Sequence, residues 1–333
     1  MKTLIVLILA VLLISFTEIE SAPKEEPSIG MAVEFMNHAA CAYISQDKGW
    51  FEQEGLRVTA YESYVTGMAL ASALARGDIE VAYICLVPAI NVYANAKIPI
   101  KIVAGTHKHG YGLVVNPNEV KTVKDLEKPS VRLGCIREGG TVDVLLRKTI
   151  DKYHLDKDKI LGKVQRMAPP NQVMAIKMGQ LDAAFLPEQW ATMAEEFAFK
   201  MLLTSQDIWP EMEGSVLVVK DELINKHPEM VGRLRRVTQK ATEWSNQNPN
   251  EAARIMTRQL QAVGAKVFPA EAAKMAANLE ITPEVMLRSM SRMRYATDID
   301  AKGVQEIIDY VAGIGYIRNR FNAEDILDLR FVK

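Results

Sequence analysis

The chain has too few cysteines to be held together by disulfides. It carries three in 333 residues, and the odd number leaves at least one without an internal partner. Neither sign of charge prevails, since 40 Lys and Arg stand against 41 Asp and Glu for a net charge of −1. That balance argues against general affinity for nucleic acid or acidic membranes, so no nucleic-acid partner is expected. The phosphate-loop pattern GxxxxGK[ST] is missing, so the chain cannot itself supply an ATPase. What remains is an ordinary globular composition, 49% hydrophobic and 24% charged, without a long polar tract. Its length suits one large domain or two modest lobes.

The longest apolar run is also short. Lys2 precedes Leu4–Ile14, eleven apolar residues, and the stretch ends at Ser21-Ala22. At about 1.5 Å per residue such a run spans roughly half of a ~30 Å hydrocarbon core. A basic start, an apolar core and a small-residue exit describe an export signal over 1–22, with an uncleaved tether as the alternative. Cleavage would remove Lys2, Glu18 and Glu20 and leave 39 basic and 39 acidic residues. Residues 23–27 read as a linker.

From Ser28 onward strands and helices alternate. Strands are expected at 28–33, 56–61, 81–85 and 98–104, separated by helices that stop at Gly55 and Gly77. The alternation resumes with strands at 112–115, 131–136, 164–167, 183–186 and 216–219, and then the chain turns helical. Several of the late helices open on proline, among them Pro228, Pro269 and Pro283. Such alternation means βαβ units and mostly parallel sheets, an α/β fold. Gly77–Ile84 (GDIEVAYI) and Gly179–Leu186 (GQLDAAFL) echo each other about a hundred residues apart and suggest two lobes of like construction. Lobe I is expected over 28–111 and 220–333 and lobe II over 112–219, with strands 112–115 and 216–219 as hinge crossings.

Several segments carry a family resemblance. Lys48–Leu56 (KGWFEQEGL), Thr66-Gly67, Gly77–Ala82, Val87–Ala89, Val103–Gly105, Val142–Lys148, Gly179–Glu188, Leu203–Pro210 and Gln247–Pro249 resemble, in order, the substrate-binding proteins of ABC importers in the sulfonate, taurine, nitrate and thiamine-pyrimidine group. The resemblance implies a type II periplasmic-binding-protein fold, with a solute held between the lobes and no cofactor. It implies a permease and its ATPase as partners, no enzymatic activity, a monomer, and a location outside the cytoplasmic membrane.

Loops that leave the carboxyl ends of parallel strands meet helix N-termini, where unpaired N–H groups favour anions. The candidate ligand-binding residues are therefore Asn37, His38 and Cys41 after the first strand, Thr66 and Gly67 at a helix start, and Cys85 and Leu86 after a buried strand. In lobe II they are Arg137, Gly139, Gly140 and Thr141, a glycine-rich turn with a hydroxyl, and Glu188 and Gln189 at the next helix start. The carboxylates of Glu138 and Glu188 would suit a solute with a donor or positive group as well as an acceptor. Trp190 and Trp209 read as packing. Two alternatives stand beside solute capture. One is a desulfinase-like use of Cys41 near His38. The other is a metal receptor using His38, Cys41, Cys85, His107 and His109, although His107-Lys108-His109 is no compact ligand spacing.

Overall fold

The structure is a computed structural model that describes residues 28–267 and 281–332. The expected signal, the linker and the helix begun by Pro269 lie outside the described residues. Two sheets organise the chain. The first is built from β1 (Ile29–Glu34), β2 (Val58–Tyr64), β3 (Val81–Cys85), β4 (Ile100–His109), β10 (Glu213–Lys220) and β11 (Met293–Tyr295), in the order β11-β4-β10-β3-β1-β2. The second is built from β5 (Tyr111–Val115), β6 (Leu133–Cys135), β7 (Val164–Arg166), β8 (Ala183–Pro187) and β9 (Lys200–Thr204), in the order β7-β6-β8-β5-β9.

The burial of each strand follows from its place. β3 and β8 are buried at every position, as strands covered by helices on both faces must be, and each reads as an unbroken apolar run. β2 is the edge of the first sheet and is only half buried, with Glu62 among its exposed residues. Helices close both faces. Beside the first sheet the helix Gly67–Arg76 ends at Gly77, which takes φ +90° and accommodates the left-handed turn before β3.

Both sheets are mixed, which corrects the expectation of mostly parallel pairing. β1 pairs in parallel with β2 and β3, but β10 is antiparallel to β3 and β4, and β11 to β4. In the second sheet β6 pairs in parallel with β7 and β8, while β5 is antiparallel to β8 and β9. The strands expected as crossings therefore lie inside the sheets. A strand entering from the other sheet arrives with its direction reversed, and the apolar runs of β5 and β10 are used up in pairing on both edges. The passage itself runs through Gly110, between β4 and β5, and through the segment 205–212 between β9 and β10.

Candidate functional site

The carboxyl ends of β1 and β3 open onto a narrow cleft of about 30 Å³ whose opposite wall comes from the second sheet. Glu34, Thr66, Gly67, Cys85 and Pro88 line the first wall, and Arg137, Gly140, Thr141 and Pro187 the second, with Tyr111 at the base.

On the first wall the dominant group is Glu34, the last residue of β1. It is 1% exposed, and burial pushes its carboxyl up to about 7, with the two bonds from Cys85 pulling the other way. The Cys85 N–H, at the start of the helix Leu86–Asn95, donates to Oε1 at 2.9 Å, and the Cys85 thiol donates to Oε2 at 2.9 Å. Gly67 permits this arrangement. A Cβ there would lie 2.2 Å from Glu34 Oε1 and 2.8 Å from Pro88 Cγ, so only glycine lets the carboxylate close on the helix start. Thr66 caps the same helix by accepting the Ala69 N–H at 3.3 Å.

Behind Glu34 lies His38. One ring nitrogen, Nε2, stands 2.8 Å from the Gly110 carbonyl oxygen. A carbonyl only accepts, so Nε2 carries the hydrogen and Nδ1 keeps its lone pair, 3.9 Å from Cys85 Sγ. Burial holds the imidazole neutral, down to about 3. The ring packs 4.1 Å from His107 and meets Tyr111 edge-on at 4.9 Å. Cys85 Sγ also receives the Tyr111 hydroxyl at 3.3 Å and the Ser215 hydroxyl at 3.4 Å.

The second wall is of opposite character. The helix Thr141–Lys152 starts behind Gly140 without a side-chain cap, so its first N–H groups are unclaimed by any capping side chain. Thr141 is 2% exposed, and its Oγ1 has no hydrogen-bond partner among the described residues. Arg137 is exposed and lines the cleft. The adjacent Glu138 is taken up by Arg147 and Arg166 at 2.8 and 3.5 Å, leaving Arg137 without a carboxylate partner among the described residues. Asp143 in the first helical turn is likewise engaged by Arg166 and Arg147. This wall therefore offers donors and positive charge, and the first wall offers acceptors.

Against this geometry, residues 22–260 match the NMT1-like family. The chain belongs to the NMT1-like family. Among its relatives, the taurine-binding periplasmic protein of Escherichia coli (strain K12) is 23% identical over 211 residues, 61% of this chain and 62% of that protein. Curated relatives that the chain matches are covered over 32% to 66% of their own length. Among solved structures, the periplasmic nitrate-binding protein NrtA from Synechocystis PCC 6803 aligns with a TM-score of 0.74 at 14% identity, over 92% of this chain and 86% of that one. The alkanesulfonate-binding protein SsuA from Xanthomonas axonopodis pv. citri, bound to MOPS, aligns with a TM-score of 0.72 at 15% identity, over 91% and 98%. These structural likenesses establish that this NMT1-like chain has the periplasmic-binding-protein fold. Among its described residues no helix is long and apolar enough to cross a membrane.

The remaining sequence candidates fall away from the cleft of this NMT1-like chain. Cys41 is 2% exposed and faces the core, where it contacts Thr242 and burial pushes its thiol up to about 12. A protonated thiol packed among apolar groups is no nucleophile, so the geometry does not favour the desulfinase-like alternative. Leu86 is wholly buried in the core. Gly139 meets the first sheet's helix Leu86–Asn95, where its carbonyl accepts Asn91 Nδ2 at 3.1 Å. Asn37 and Gln189 meet each other, with the Asn37 N–H on Gln189 Oε1 at 2.9 Å. Glu188 is buried against Thr192 and Arg292, at 3.0 and 3.2 Å, and borders a different hollow shared with Thr204 and Ser205. Trp190 packs on Phe35, and Trp209 on Tyr310. Of the histidines and cysteines considered for metal, His38 and Cys85 bring ligand atoms together with Glu34, and His107 stacks on His38 outside that group. Among the polar residues of the cleft, Glu34 and Tyr111 are those that sequence reasoning missed. The available signal was a carboxylate closing the apolar strand Ile29–Val33.

Proposed function

We propose that this chain is the extracytoplasmic solute-binding component of an ABC importer. It captures a small anionic or zwitterionic solute between lobe I, 28–111 with 220–333, and lobe II, 112–219, and performs no chemistry on it. It acts as an exported monomer that delivers the solute to a permease with its ATPase. The observation that carries the reading is the second wall of the cleft, where, among the described residues, Arg137 has no carboxylate partner, the buried Thr141 hydroxyl has no hydrogen-bond partner and the helix start has no side-chain cap. Donors arranged in this way are complementary to the oxygens of a sulfonate, nitrate or carboxylate. The names of the taurine-, nitrate- and alkanesulfonate-binding relatives agree with that choice of head group.

The first wall narrows the class. Glu34 faces the cleft without a cationic partner among the described residues, so the occupant brings a donor or positive charge to that side. An aminosulfonate or an amino-substituted heterocycle meets both walls, and nitrate alone meets one. Closure follows from differential affinity, because a solute touching both walls stabilises the closed arrangement over the open one. Titration calorimetry with taurine, alkanesulfonates, nitrate and pyrimidines, paired with small-angle scattering, tests the proposal. Binding with compaction is expected for at least one of them. Uniform failure to bind, or binding without compaction, refutes it.

A further inference from the structure

A carboxylate, an imidazole and a thiol converge at the floor of the cleft. Glu34 comes from the end of β1, His38 from the loop behind it and Cys85 from the end of β3, and one ligand atom of each lies within 4.8 Å of the others. None of the three is more than 5% exposed. From this geometry we infer a site for a zinc-class divalent cation, held by Glu34, His38 Nδ1 and Cys85 Sγ, with a fourth position open toward the cleft. The inference goes beyond solute capture and rests on that reading only for the use of the open position.

Three observations support it. First, His38 is oriented as metal-bound histidines are: its far nitrogen donates to the Gly110 carbonyl at 2.8 Å, which aims the Nδ1 lone pair inward. Second, the sulfur already receives the hydroxyls of Tyr111 and Ser215, at 3.3 and 3.4 Å, donors that would stabilise a thiolate. Third, two of the three spacings are close to what coordination needs, and the remaining one, from His38 Nδ1 to Glu34, is within 4.8 Å. Bonds of about 2.0–2.3 Å place tetrahedral ligand atoms roughly 3.3–3.8 Å apart. Sγ and Nδ1 are 3.9 Å apart. Sγ and Glu34 Oε2 are 2.9 Å apart because the thiol proton lies between them. Binding releases that proton to solvent, the metal takes its place, and the pair opens by less than about 1 Å. One sulfur, one nitrogen and one oxygen suit zinc better than the all-oxygen sets of magnesium or calcium. With the ion bound, it and not the solute would supply the positive charge beside Glu34, and an anionic solute could bridge its open position to Arg137.

The test uses the full chain stripped with a chelator and then titrated with Zn²⁺ by calorimetry and with Co²⁺ by absorption spectroscopy. One ion per chain is expected, with a thiolate-to-cobalt charge-transfer band. Cys85→Ser should abolish the band and weaken Zn²⁺ binding by about tenfold or more, while Cys41→Ser and Cys135→Ser keep both. Glu34→Gln provides a second variant, weakening Zn²⁺ while leaving the thiol in place, should Cys85→Ser not fold. Absence of the band in the unmodified chain, or Zn²⁺ binding unchanged in Cys85→Ser or Glu34→Gln, overturns the inference. Solute binding is read separately in chelator-treated protein, so loss of the metal site and loss of the solute site give different results.

Discussion

Replacing Thr141 by valine separates a ligand-facing role from a structural one, because the two effects have opposite signs. The side chain is 2% exposed, lines the cleft, and its hydroxyl has no partner among the described residues. Valine keeps the branched shape and removes only the hydroxyl. A buried polar group without a partner costs about 1–3 kcal/mol, so Thr141→Val should hold or raise the stability of the unliganded protein, by up to roughly 1 kcal/mol. The bound state behaves in the reverse way. A hydrogen bond to a charged oxygen contributes about 1.5–3 kcal/mol, and at 1.4 kcal/mol per factor of ten its loss weakens binding by roughly ten- to a hundredfold. Urea denaturation of the unliganded variant, beside calorimetric Kd for the tightest solute, measures both. A variant that loses stability and keeps its affinity would refute the assignment of this hydroxyl to the solute.

Gly67→Ala should lower stability by about 1–3 kcal/mol, because its Cβ would fall 2.2 Å from Glu34 Oε1; a denaturation midpoint at or above the parent value contradicts the packing. Arg292→Met should cost roughly 1–3 kcal/mol near neutral pH, less than for a fully buried pair because Arg292 is 30% exposed beside the buried Glu188. Burial raises the Glu188 carboxyl and Arg292 opposes that rise. Removing the guanidinium therefore raises it further, and the deficit should shrink as pH falls through the range where Glu188 is protonated; urea midpoints across that range reveal whether it does. Cys41→Ser should leave solute affinity unchanged within about twofold, since the thiol faces Thr242 in the core; a large loss in calorimetry would return Cys41 to the cleft.

Much of the architecture was legible because it is written in local signals. Gly77 and Gly179 close helices before short apolar strands, and both strands proved to be fully buried sheet members. The turn at Arg137–Thr141 was legible for a similar reason, since a strand-to-helix loop must end at a helix N-terminus. Side-chain direction was not. Cys41 lies three residues after His38, and the helix Ala40–Asp47 turns it into the core while His38 faces the sheet junction. Glu34 looked like the exit from a strand, and only the meeting of β1, β3 and the start at Gly67 places it inside the cleft. Tyr111 read as an ordinary strand residue, although its hydroxyl reaches Cys85 across the two sheets. Contacts of this kind join residues far apart in the chain, and no spacing within one segment encodes them. The reversed strands β5 and β10 were missed for the same reason, because strand direction depends on which sheet the chain has come from.

The carbonyl of Gly110 receives two donors, the ring nitrogen of His38 from the side of the first sheet and the Glu188 amide from the side of the second, each at 2.8 Å. A swing of the second sheet that keeps the Glu188 bond moves the oxygen that holds the imidazole. His38 becomes an internal gauge: its buried ring N–H, shielded from exchange with water, should shift in frequency as the two sheets move relative to each other. One nitrogen resonance could then follow opening and closing without an attached label.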